Sequence, residues 1–382
     1  MAIDNKDKKV LNVPHLRFPE FSGEWVTKSI NDLAVVIGGG TPDTTVKSYW
    51  DGEIQWFTPS EIGKNKYVDS SLRTITEVGL NNSSAKLLPP NTILLSSRAT
   101  IGECSLSLRE CATNQGFQCL VSKKCNVDFL YYLIQTKKKD LIRKSCGSTF
   151  LEISANEVRK IQVSVPSDVE QQKIAELLSL IDERIATQNK IIEDLKKLKS
   201  AIRKKMFSFL KDEYTESFEI NQLLDYEQPT AYIVANDEYS TDTSLTPVLT
   251  ANKGFILGYT DEKFGIYQKG ECIIFDDFTM DAKYVSFPFK VKSSAIKILT
   301  AKPNVNLRFM FEYLSYWELK SEEHKRHYIS EIASLVIELP SKERQSIIAS
   351  LMTSLNSKLD IEAKTKIRYE EQKRYLLSQM FI

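Results

Sequence analysis

The chain has 382 residues, a formal net charge of +1 and a hydrophobic content of 42%. This length allows two domains with separate cores, and the near-neutral charge excludes a nucleic-acid-binding protein that depends on net charge alone. The chain contains no apolar run of about 18 residues, and its first residues do not resemble a secretory signal. We therefore expect a cytoplasmic protein that does not contact a membrane.

The residue types that usually form metal and catalytic sites are few and scattered. The six cysteines lack the Cys-x2-Cys pairs of zinc sites, and we expect them to be small buried hydrophobic residues in a reducing compartment. The three histidines suggest neither a triad nor a metal cluster. Gly38–Gly40 lacks the lysine of a phosphate-binding loop, and a turn with positive φ is the interpretation that we favour. The sequence therefore predicts no metal site and no catalytic residues.

In chain order, an N-terminal arm (residues 1–24) precedes a first globular domain (25–166) of short β-like runs separated by glycine and proline. A helix is predicted in this domain at Val127–Thr136. The predicted strands are Leu33–Ile37, Ile54–Phe57, Thr92–Ser96, Gly116–Ser122 and Ile161–Val165.

A long central helix is predicted at 167–210, because apolar residues recur there at alternating steps of four and three. Nine of the eleven positions in this seam are apolar, and Ser167 or Asp168 is suited to cap the first turn. The seam consists of Ile174, Leu178, Ile181, Ile185, Gln188, Ile192, Leu195, Lys199, Ile202, Met206 and Phe209.

A second globular domain (211–340) repeats the order of the first in shorter form, and a second long helix (341–382) follows it. The segment Pro166–Phe207 aligns without a gap onto Pro340–Phe381, and ten of the 42 aligned positions are identical. The two halves of the chain are therefore an internal repeat.

The two long helices are predicted to pack on each other. The second copy keeps the apolar seam at both ends but has Glu362, Lys366 and Lys373 in its middle. Because the second helix must return along the first, the pair is antiparallel, and each helix is about 60 Å long. The predicted fold class is α+β, with two pseudo-symmetric mixed α/β domains joined by two long antiparallel coiled-coil helices.

Several motifs in this arrangement are typical of one family. They are Gly38–Pro42, Tyr49–Gly52, Ile54–Trp56, Leu94–Gly102 and Asn114–Phe117 in the first domain, and Phe287–Val291 and Ser293–Ala295 in the second. With the start Pro14–Pro19 and a helix that begins Glu170-Gln171-Gln172 after a strand and a proline, the chain resembles the specificity subunit of a type I restriction–modification system. In the second copy, Arg344-Gln345-Ser346 stands where the family usually has Glu-Gln.

The resemblance implies that the two globular domains are target recognition domains, which bind one bipartite asymmetric site in double-stranded DNA. It also implies a chain without catalytic activity that positions two modification (adenine methyltransferase) subunits and the restriction subunits. S-adenosylmethionine, ATP and Mg²⁺ would then belong to the partner subunits, and no cofactor is expected in this chain. The helix length would set the unread spacer between the two half-sites.

Base readout needs polar side chains at loop tips, and phosphate contact needs basic or small polar groups. In the first domain, the residues predicted to contact DNA are Lys47, Tyr49, Lys64, Lys66, Ser96, Ser97, Arg98, Arg143 and Lys144. In the second domain, they are Asp276, Asp277, Thr279, Lys283, Tyr284, Arg326 and His327. A solvated surface charge or a packing role is the alternative for each of them.

Two other functions fit parts of the sequence. A coiled-coil scaffold, or a degenerate specificity subunit, would use the helices for assembly without reading a DNA sequence. A metal-dependent nuclease would need carboxylates followed by a lysine, and Asp276, Asp277, Asp281 and Lys283 have this order. The first domain has no equivalent of this pattern, so a DNA-reading subunit is the function that we favour.

Overall fold

The structure is a computed structural model, and it describes residues 11–147, 151–210, 215–250, 254–276, 278–317 and 332–382. The chain divides into two units, one formed by Met1–Asn189 with Lys364–Ile382 and the other by Lys190–Ala363. Each unit combines β-sheets with helices, so the predicted α+β class is confirmed. The unit boundaries fall inside both long helices, because each unit contains the start of one long helix and the end of the other.

The first half of the chain contains fifteen short strands and α-helices and one long helix within the described residues. In chain order they are β1 (Val26–Ser29), α1 (Ile30–Leu33), β2 (Ala34–Gly38), β3 (Trp50–Phe57), β4 (Tyr67–Val68), β5 (Arg73–Ile75), α2 (Glu77–Asn81), β6 (Ile93–Leu95), β7 (Cys104–Ser107), β8 (Cys111–Thr113), β9 (Gln118–Ser122), α3 (Val127–Thr136), α4 (Lys138–Arg143), α5 (Ala155–Lys160), β10 (Gln162–Val165) and α6 (Asp168–Phe209). The predicted helix Val127–Thr136 is confirmed, and the five predicted strands correspond to β2, β3, β6, β9 and β10.

The second half repeats this order with fewer elements. They are β11 (Glu216–Glu219), α7 (Ile220–Leu223), β12 (Leu224–Glu227), β13 (Thr246–Leu249), β14 (Ile256–Thr260), β15 (Cys272–Asp276), β16 (Ala282–Val285), β17 (Lys290–Val291), β18 (Ile296–Ala301), α8 (Leu307–Tyr316), β19 (Val336–Leu339) and α9 (Lys342–Met380).

The sheets of the two units have the same topology. In the described residues, the order β2-β9-β6-β7-β4 of the first unit corresponds to β12-β18-β15-β16 of the second. A second sheet, β5-β3-β8, corresponds to β14-β13-β17, and in both the central strand has one antiparallel and one parallel neighbour. The antiparallel pairs β1-β10 and β11-β19 lead into the long helices. The internal repeat is therefore present in the strand pairing as well as in the sequence.

Each unit has its own hydrophobic core, to which both long helices contribute. In the first unit, Ile174 and Leu178 of α6 and Met380 of α9 are buried with Trp25 and Phe129. The start of α6 packs beside the end of α9, so the two helices run antiparallel there, as predicted. In the second unit, the other ends of the helices bury Phe207, Leu210, Ile348, Ala349 and Met352.

The predicted seam of α6 is correct for most of its length but wrong at its last position. Phe209 is 49% exposed, whereas Phe207 and Leu210 are buried in the core of the second unit. The Phe207 ring lies 5.6 Å from the ring of Phe309 and 5.0 Å from that of Tyr313. The chain therefore turns Phe207 and Leu210 toward the globular domain, and the heptad pattern does not continue to the end of the helix.

The two long helices begin in the same way. The Ser167 and Ser341 hydroxyls accept hydrogen bonds from the amides of Glu170 and Arg344, so both serines cap their helices. In the first copy, the Glu170 carboxylate also accepts two hydrogen bonds from the Arg17 guanidinium, at 2.7 and 2.8 Å. This ion pair connects the N-terminal arm to the start of α6.

A buried glutamine in each long helix connects it to the globular domain. Gln171 donates to the Pro166 carbonyl and accepts from the Asn126 amide, at 3.0 and 3.1 Å. In the second unit, Gln345 donates to Pro340 at 2.9 Å and accepts from Asn306 at 2.8 Å. Asn126 and Asn306 are the N-caps of α3 and α8. We call these two arrangements the glutamine contacts, and they give α3 and α8 the same position in their units.

Candidate nucleic-acid interface

Three loops of the first domain meet at one surface, which we call the three-loop surface (residues 39–42, 96–102 and 114–116). The Gly40 amide donates to the Thr113 carbonyl at 2.8 Å, and the Thr41 hydroxyl donates to the Gln115 side chain at 2.5 Å. The Ser97 amide donates to the Gly116 carbonyl, also at 2.8 Å. These bonds hold the exposed side chains of the three loops close together.

The glycine motif serves close packing, and our prediction of a positive φ was wrong. A Cβ at Gly39 would lie 2.0 Å from the Asn114 carbonyl oxygen, and one at Gly40 would lie 2.2 Å from the Ser84 hydroxyl. Neither glycine has a φ in the left-handed region. Glycine is needed here because the backbone of residues 39–40 touches two other loops.

The loop after β6 is a tight turn with an internal anchor. The buried Ser96 hydroxyl donates to the Arg98 carbonyl at 2.8 Å and lies 3.0 Å from the Thr100 hydroxyl. Ala99 at the tip has a φ of 54°, which is uncommon for a residue with a side chain. The turn therefore presents Ala99 and Thr100 to solvent, while Ser96 holds it from below.

The second domain has a shorter turn at the corresponding place, and its anchor is different. The buried Asp276 carboxylate accepts from the Phe278 amide at 2.9 Å and from the Thr279 hydroxyl at 2.6 Å. Met280 has a φ of 60°, and the Asp276 amide donates across the turn to Asp281 as the Ser96 amide does to Glu103. One scaffold thus carries two turns whose exposed residues differ.

The structure places the predicted DNA contacts of the first domain in different environments. Lys47, Lys64 and Arg143 are exposed, and Tyr49 is half-buried. Arg98 pairs with Glu152 at 2.9 Å, and Glu152 is bridged to Cys146, two residues after Lys144. Arg98 and Lys144 therefore belong to one neighbourhood.

Three of these residues lie inside the first unit rather than at its surface. Ser96 and Ser97 are fully buried, with the Ser96 hydroxyl engaged in the turn. The Lys66 ammonium, with its side chain only 6% exposed, pairs with Asp128 at 2.6 Å and donates to Ser179 of α6 at 2.7 Å. Their polar atoms face the protein interior, so we remove all three from the set of proposed DNA contacts.

In the second domain, Thr279 and Lys283 are exposed. Asp276 is 4% exposed and serves the turn, so it is also removed from the proposed contacts. The Tyr284 ring is half-buried beneath the Arg308 guanidinium, 4.0 Å from the ring centroid, and burial raises the pKa of its hydroxyl. The predicted contacts Asp277, Arg326 and His327 lie outside the described residues.

Three polar residues of the three-loop surface, Thr41, Thr100 and Gln115, were missed by the residue predictions. Gln115 is exposed and its amide lies beside the Thr41 hydroxyl. An amide side chain is suited to the paired donor and acceptor of adenine in the major groove. The corresponding loop before β18 has Ser293 and Ser294, with the Ala295 amide donating to Ser293 as the Gly116 amide does to Asn114. The family motif Asn114–Phe117 contained this signal, but its glycine and aromatic residue made a structural role equally plausible.

The cysteines are mostly buried, as predicted, although Cys146 is exposed. Burial raises the pKa of the Cys104, Cys111, Cys119 and Cys272 thiols to about 12, so these groups stay protonated at neutral pH. Among the described residues, no group of three His, Cys, Asp or Glu side chains is arranged to hold a metal ion. The carboxylate of Asp276, which the nuclease interpretation needs, is engaged in its own turn.

No helix in the described part of the chain is both long and apolar enough to cross a membrane.

A family model described as "Type I restriction modification DNA specificity domain" matches residues 22–197 and 212–371, which is most of the chain. The two matched segments correspond to the two halves of the internal repeat.

Three curated relatives show the extent of the sequence similarity. The type I restriction enzyme MjaIX specificity subunit of Methanocaldococcus jannaschii is 38% identical over 216 residues, which cover 55% of this chain and 50% of the relative. The EcoR124I/EcoR124II specificity subunit of Escherichia coli is 39% identical over 178 residues, or 42% of this chain and 43% of the relative. The chain thus spans half or less of these two relatives. The EcoprrI specificity subunit of Escherichia coli is 24% identical over 357 residues, 84% of each chain.

Two solved structures share the fold along almost the whole chain. The type I restriction–modification S subunit of M. genitalium has a TM-score of 0.64 at 16% identity, covering 97% of this chain and 99% of its own. A chain from a study of complex assembly and conformational transition of the type I R-M system has a TM-score of 0.57 at 14% identity, covering 93% of this chain and 97% of its own.

Proposed function

Because the chain belongs to the family of type I restriction–modification DNA specificity proteins, we propose that it reads a bipartite asymmetric DNA sequence for a restriction–modification complex. It acts without catalytic activity of its own, since partner subunits supply the chemistry. A cytoplasmic location remains the prediction for this function.

The observation that carries the proposal is one scaffold with two different exposed surfaces. Ser96 and Asp276 hold corresponding turns, and Asn114 and Ser293 hold corresponding loops. In each case the anchor side chain forms a hydrogen bond within its own turn or loop. The exposed residues beside these anchors are different in the two domains. A duplicated reader with unequal surfaces fits a site whose two halves differ in sequence.

The proposed DNA contacts follow from exposure and residue type. Side chains on loops can reach base edges and phosphates, whereas the buried anchors cannot. In the first domain we propose Thr41, Lys47, Tyr49, Lys64, Arg98, Thr100, Gln115, Arg143 and Lys144, and in the second Thr279, Lys283 and Ser294. Tyr284 is not included, because its hydroxyl is buried.

Two modification subunits and the restriction subunits are the proposed protein partners, and the long helices are the proposed docking elements. Val169 and Leu180 of α6 are 70% and 58% exposed, and eleven residues, about three helical turns, separate them on one face. Exposed apolar residues that repeat on one helix face are suited to a protein interface. S-adenosylmethionine, ATP and Mg²⁺ would be bound by these partners.

The proposal is tested by mapping adenine methylation in cells that lack other methyltransferases and express the chain with its modification subunit. We expect methylation at one bipartite motif, and we expect Gln115→Ala to relax or abolish readout in one half of it. Gln372→Ala, at an exposed glutamine of α9, is the matched control and should leave the motif unchanged. A soluble complex that adds no methylated motif would overturn the proposed function, whereas an unchanged motif in the Gln115 variant would overturn only that contact.

The scaffold alternative makes a different prediction about DNA. Binding through phosphate contacts weakens steeply as salt concentration rises, and specific sites compete against nonspecific DNA. A scaffold would show neither behaviour. Titration of the complex with the mapped motif and with a scrambled duplex at two salt concentrations therefore separates the two functions.

A further inference from the structure

Each globular domain docks on the long helices through a glutamine contact. Because this contact is alike in the two units, it does not distinguish one docking site from the other. The glutamine contacts join equivalent atoms, with Gln171 and Asn126 in the first unit and Gln345 and Asn306 in the second. Position by position, α3 therefore corresponds to α8, and Tyr132 corresponds to Glu312. A contact that differs between the units is needed to match each domain with its own helix segments.

In the first unit, the carboxylate of this contact lies on the long helix. The fully buried Tyr132 of α3 donates to Asp182 of α6 at 2.7 Å, and Lys373 of α9 pairs with the same carboxylate at 2.7 Å. The Lys373 ammonium also lies 5.4 Å from the centroid of the Tyr132 ring. Asp182 and Lys373 balance each other beside this neutral phenol. The Lys66 ammonium lies 4.9 Å from the centroid of the same ring and is balanced by Asp128.

In the second unit, the carboxylate lies on the globular domain instead. Glu312 of α8 is 2% exposed and accepts from the Arg203 guanidinium at 2.6 and 3.0 Å. Asn356 of α9 donates to Glu312 at 3.2 Å, and the Lys199 ammonium lies 3.8 Å away. In the helix repeat, Asn356 corresponds to Asp182 and Lys199 corresponds to Lys373. Both units therefore have the lysine at the equivalent helix position. The carboxylate belongs to the long helix in the first unit and to the globular domain in the second.

A mismatch between domain and helix segment would place unbalanced charge in a buried position. Glu312 on the first pair of segments would face Asp182, so two carboxylates would meet beside Lys373, while Lys66 is already paired with Asp128. Tyr132 on the second pair would remove the carboxylate that pairs with Arg203 and Lys199, and Asp360 would be the remaining carboxylate that acts on Lys199. Burial already lowers the pKa of Lys199, and Glu312 opposes that shift. Leaving a buried charge without its partner is among the more costly changes in a protein.

We propose that Tyr132 and Glu312 are positioning residues that match each recognition domain to its own segments of the long helices. In the first unit, Tyr132 hydrogen-bonds to the Asp182 carboxylate of the helix. In the second unit, Glu312 itself supplies the carboxylate. This inference concerns docking within each unit and does not depend on the proposed DNA reading.

The proposal is tested by converting the contact of the first unit into that of the second in the full chain. Tyr132→Glu alone should lower the thermal unfolding midpoint by about 6–20 °C, because two buried carboxylates then meet. Adding Asp182→Asn recreates the Glu–Asn–Lys arrangement and should restore more than half of the loss. Adding Leu377→Arg as well supplies the equivalent of Arg203 and should restore more.

Matched variants separate this effect from ordinary loss of packing. Tyr132→Phe keeps the ring and should cost only a few degrees, since one hydrogen bond is removed. In the second unit, Glu312→Tyr should be destabilising, and Glu312→Tyr with Asn356→Asp should recover. The proposal would be overturned in a unit if the double variant were no more stable than the Tyr132→Glu or Glu312→Tyr single variant. It would also be overturned there if both the single and the double variant failed to fold. A Tyr132→Glu chain as stable as Tyr132→Phe would overturn it as well.

Discussion

At the scale of single residues, some polar side chains of this chain hold turns from the interior instead of facing solvent. Ser96 and Asp276 were predicted to contact DNA, yet both are buried anchors of equivalent turns. Sequence identifies a loop rich in hydrogen-bonding groups, but it does not tell which of them point inward. The exposed Thr100 and Thr279 are the residues that such anchors present.

Gly39 gives a sharp test at this scale, because its close contact is with backbone. We expect Gly39→Ala to destabilise the chain by about 2–4 kcal/mol, since the Asn114 carbonyl cannot move away as a flexible side chain could. Urea unfolding of the purified chain measures the change in the free energy of unfolding.

Gly254→Ala is the matched control for this variant. A Cβ at Gly254 meets nothing within 4 Å, and its φ is not in the left-handed region. We expect its free energy of unfolding to stay within about 0.5 kcal/mol of the parent value. Equal effects of the two substitutions would contradict the assignment of close packing to the triglycine motif.

At the scale of elements, the long helices were predictable because a seam repeated over many turns is a strong signal. The start of the first was predictable as well, since Ser167 has a cap-forming side chain, and the structure shows that the equivalent Ser341 caps the second. The lysine in the middle of the second seam was not understood from the sequence. Lys373 interrupts the apolar seam, and its pairing could not be read from the sequence because its partner Asp182 and the adjoining Tyr132 lie on other elements.

The glutamine contacts predict equal effects in the two units. Removing either side chain leaves a carbonyl and an amide of the docking site without that partner, so we expect Gln171→Ala and Gln345→Ala to cost about 2–4 kcal/mol each. Hydrogen exchange should show faster exchange in α3 for the first variant and in α8 for the second. Gln372→Ala, on the exposed face of α9, is the control. If Gln345→Ala behaves like this control, the two contacts are not equivalent in energy.

At the scale of the whole molecule, the repeat allows each domain to be exchanged separately, because each half of the chain has its own globular domain. If each domain reads one half of the DNA site, replacing residues 25–166 by the equivalent domain of another family member should change one half of the methylated motif and preserve the other. Methylation mapping of the chimera measures this directly. The incoming domain should carry a residue compatible with Asp182 at the position of Tyr132.

A chimera that changes both halves of the motif, or neither, would contradict the modular interpretation. Its thermal stability provides an internal check, because an incoming glutamate at the position of Tyr132 should be tolerated only with Asp182→Asn.

The order and type of the elements could be predicted from the repeat and the family motifs. Which exposed side chains read bases could not, because base contacts depend on loop geometry that short-range patterns do not encode.

The sharing of both long helices between the units has a consequence for protein synthesis. The core of the first unit includes Phe381, whose ring lies 5.3 Å from that of Phe129, and Lys137 donates to the Ile382 carbonyl across 245 positions of sequence. A ribosome must therefore translate the second domain entirely before the first can close its core. The domain that emerges first is completed last, and a stop codon that removes Phe381 would damage the core of the first domain.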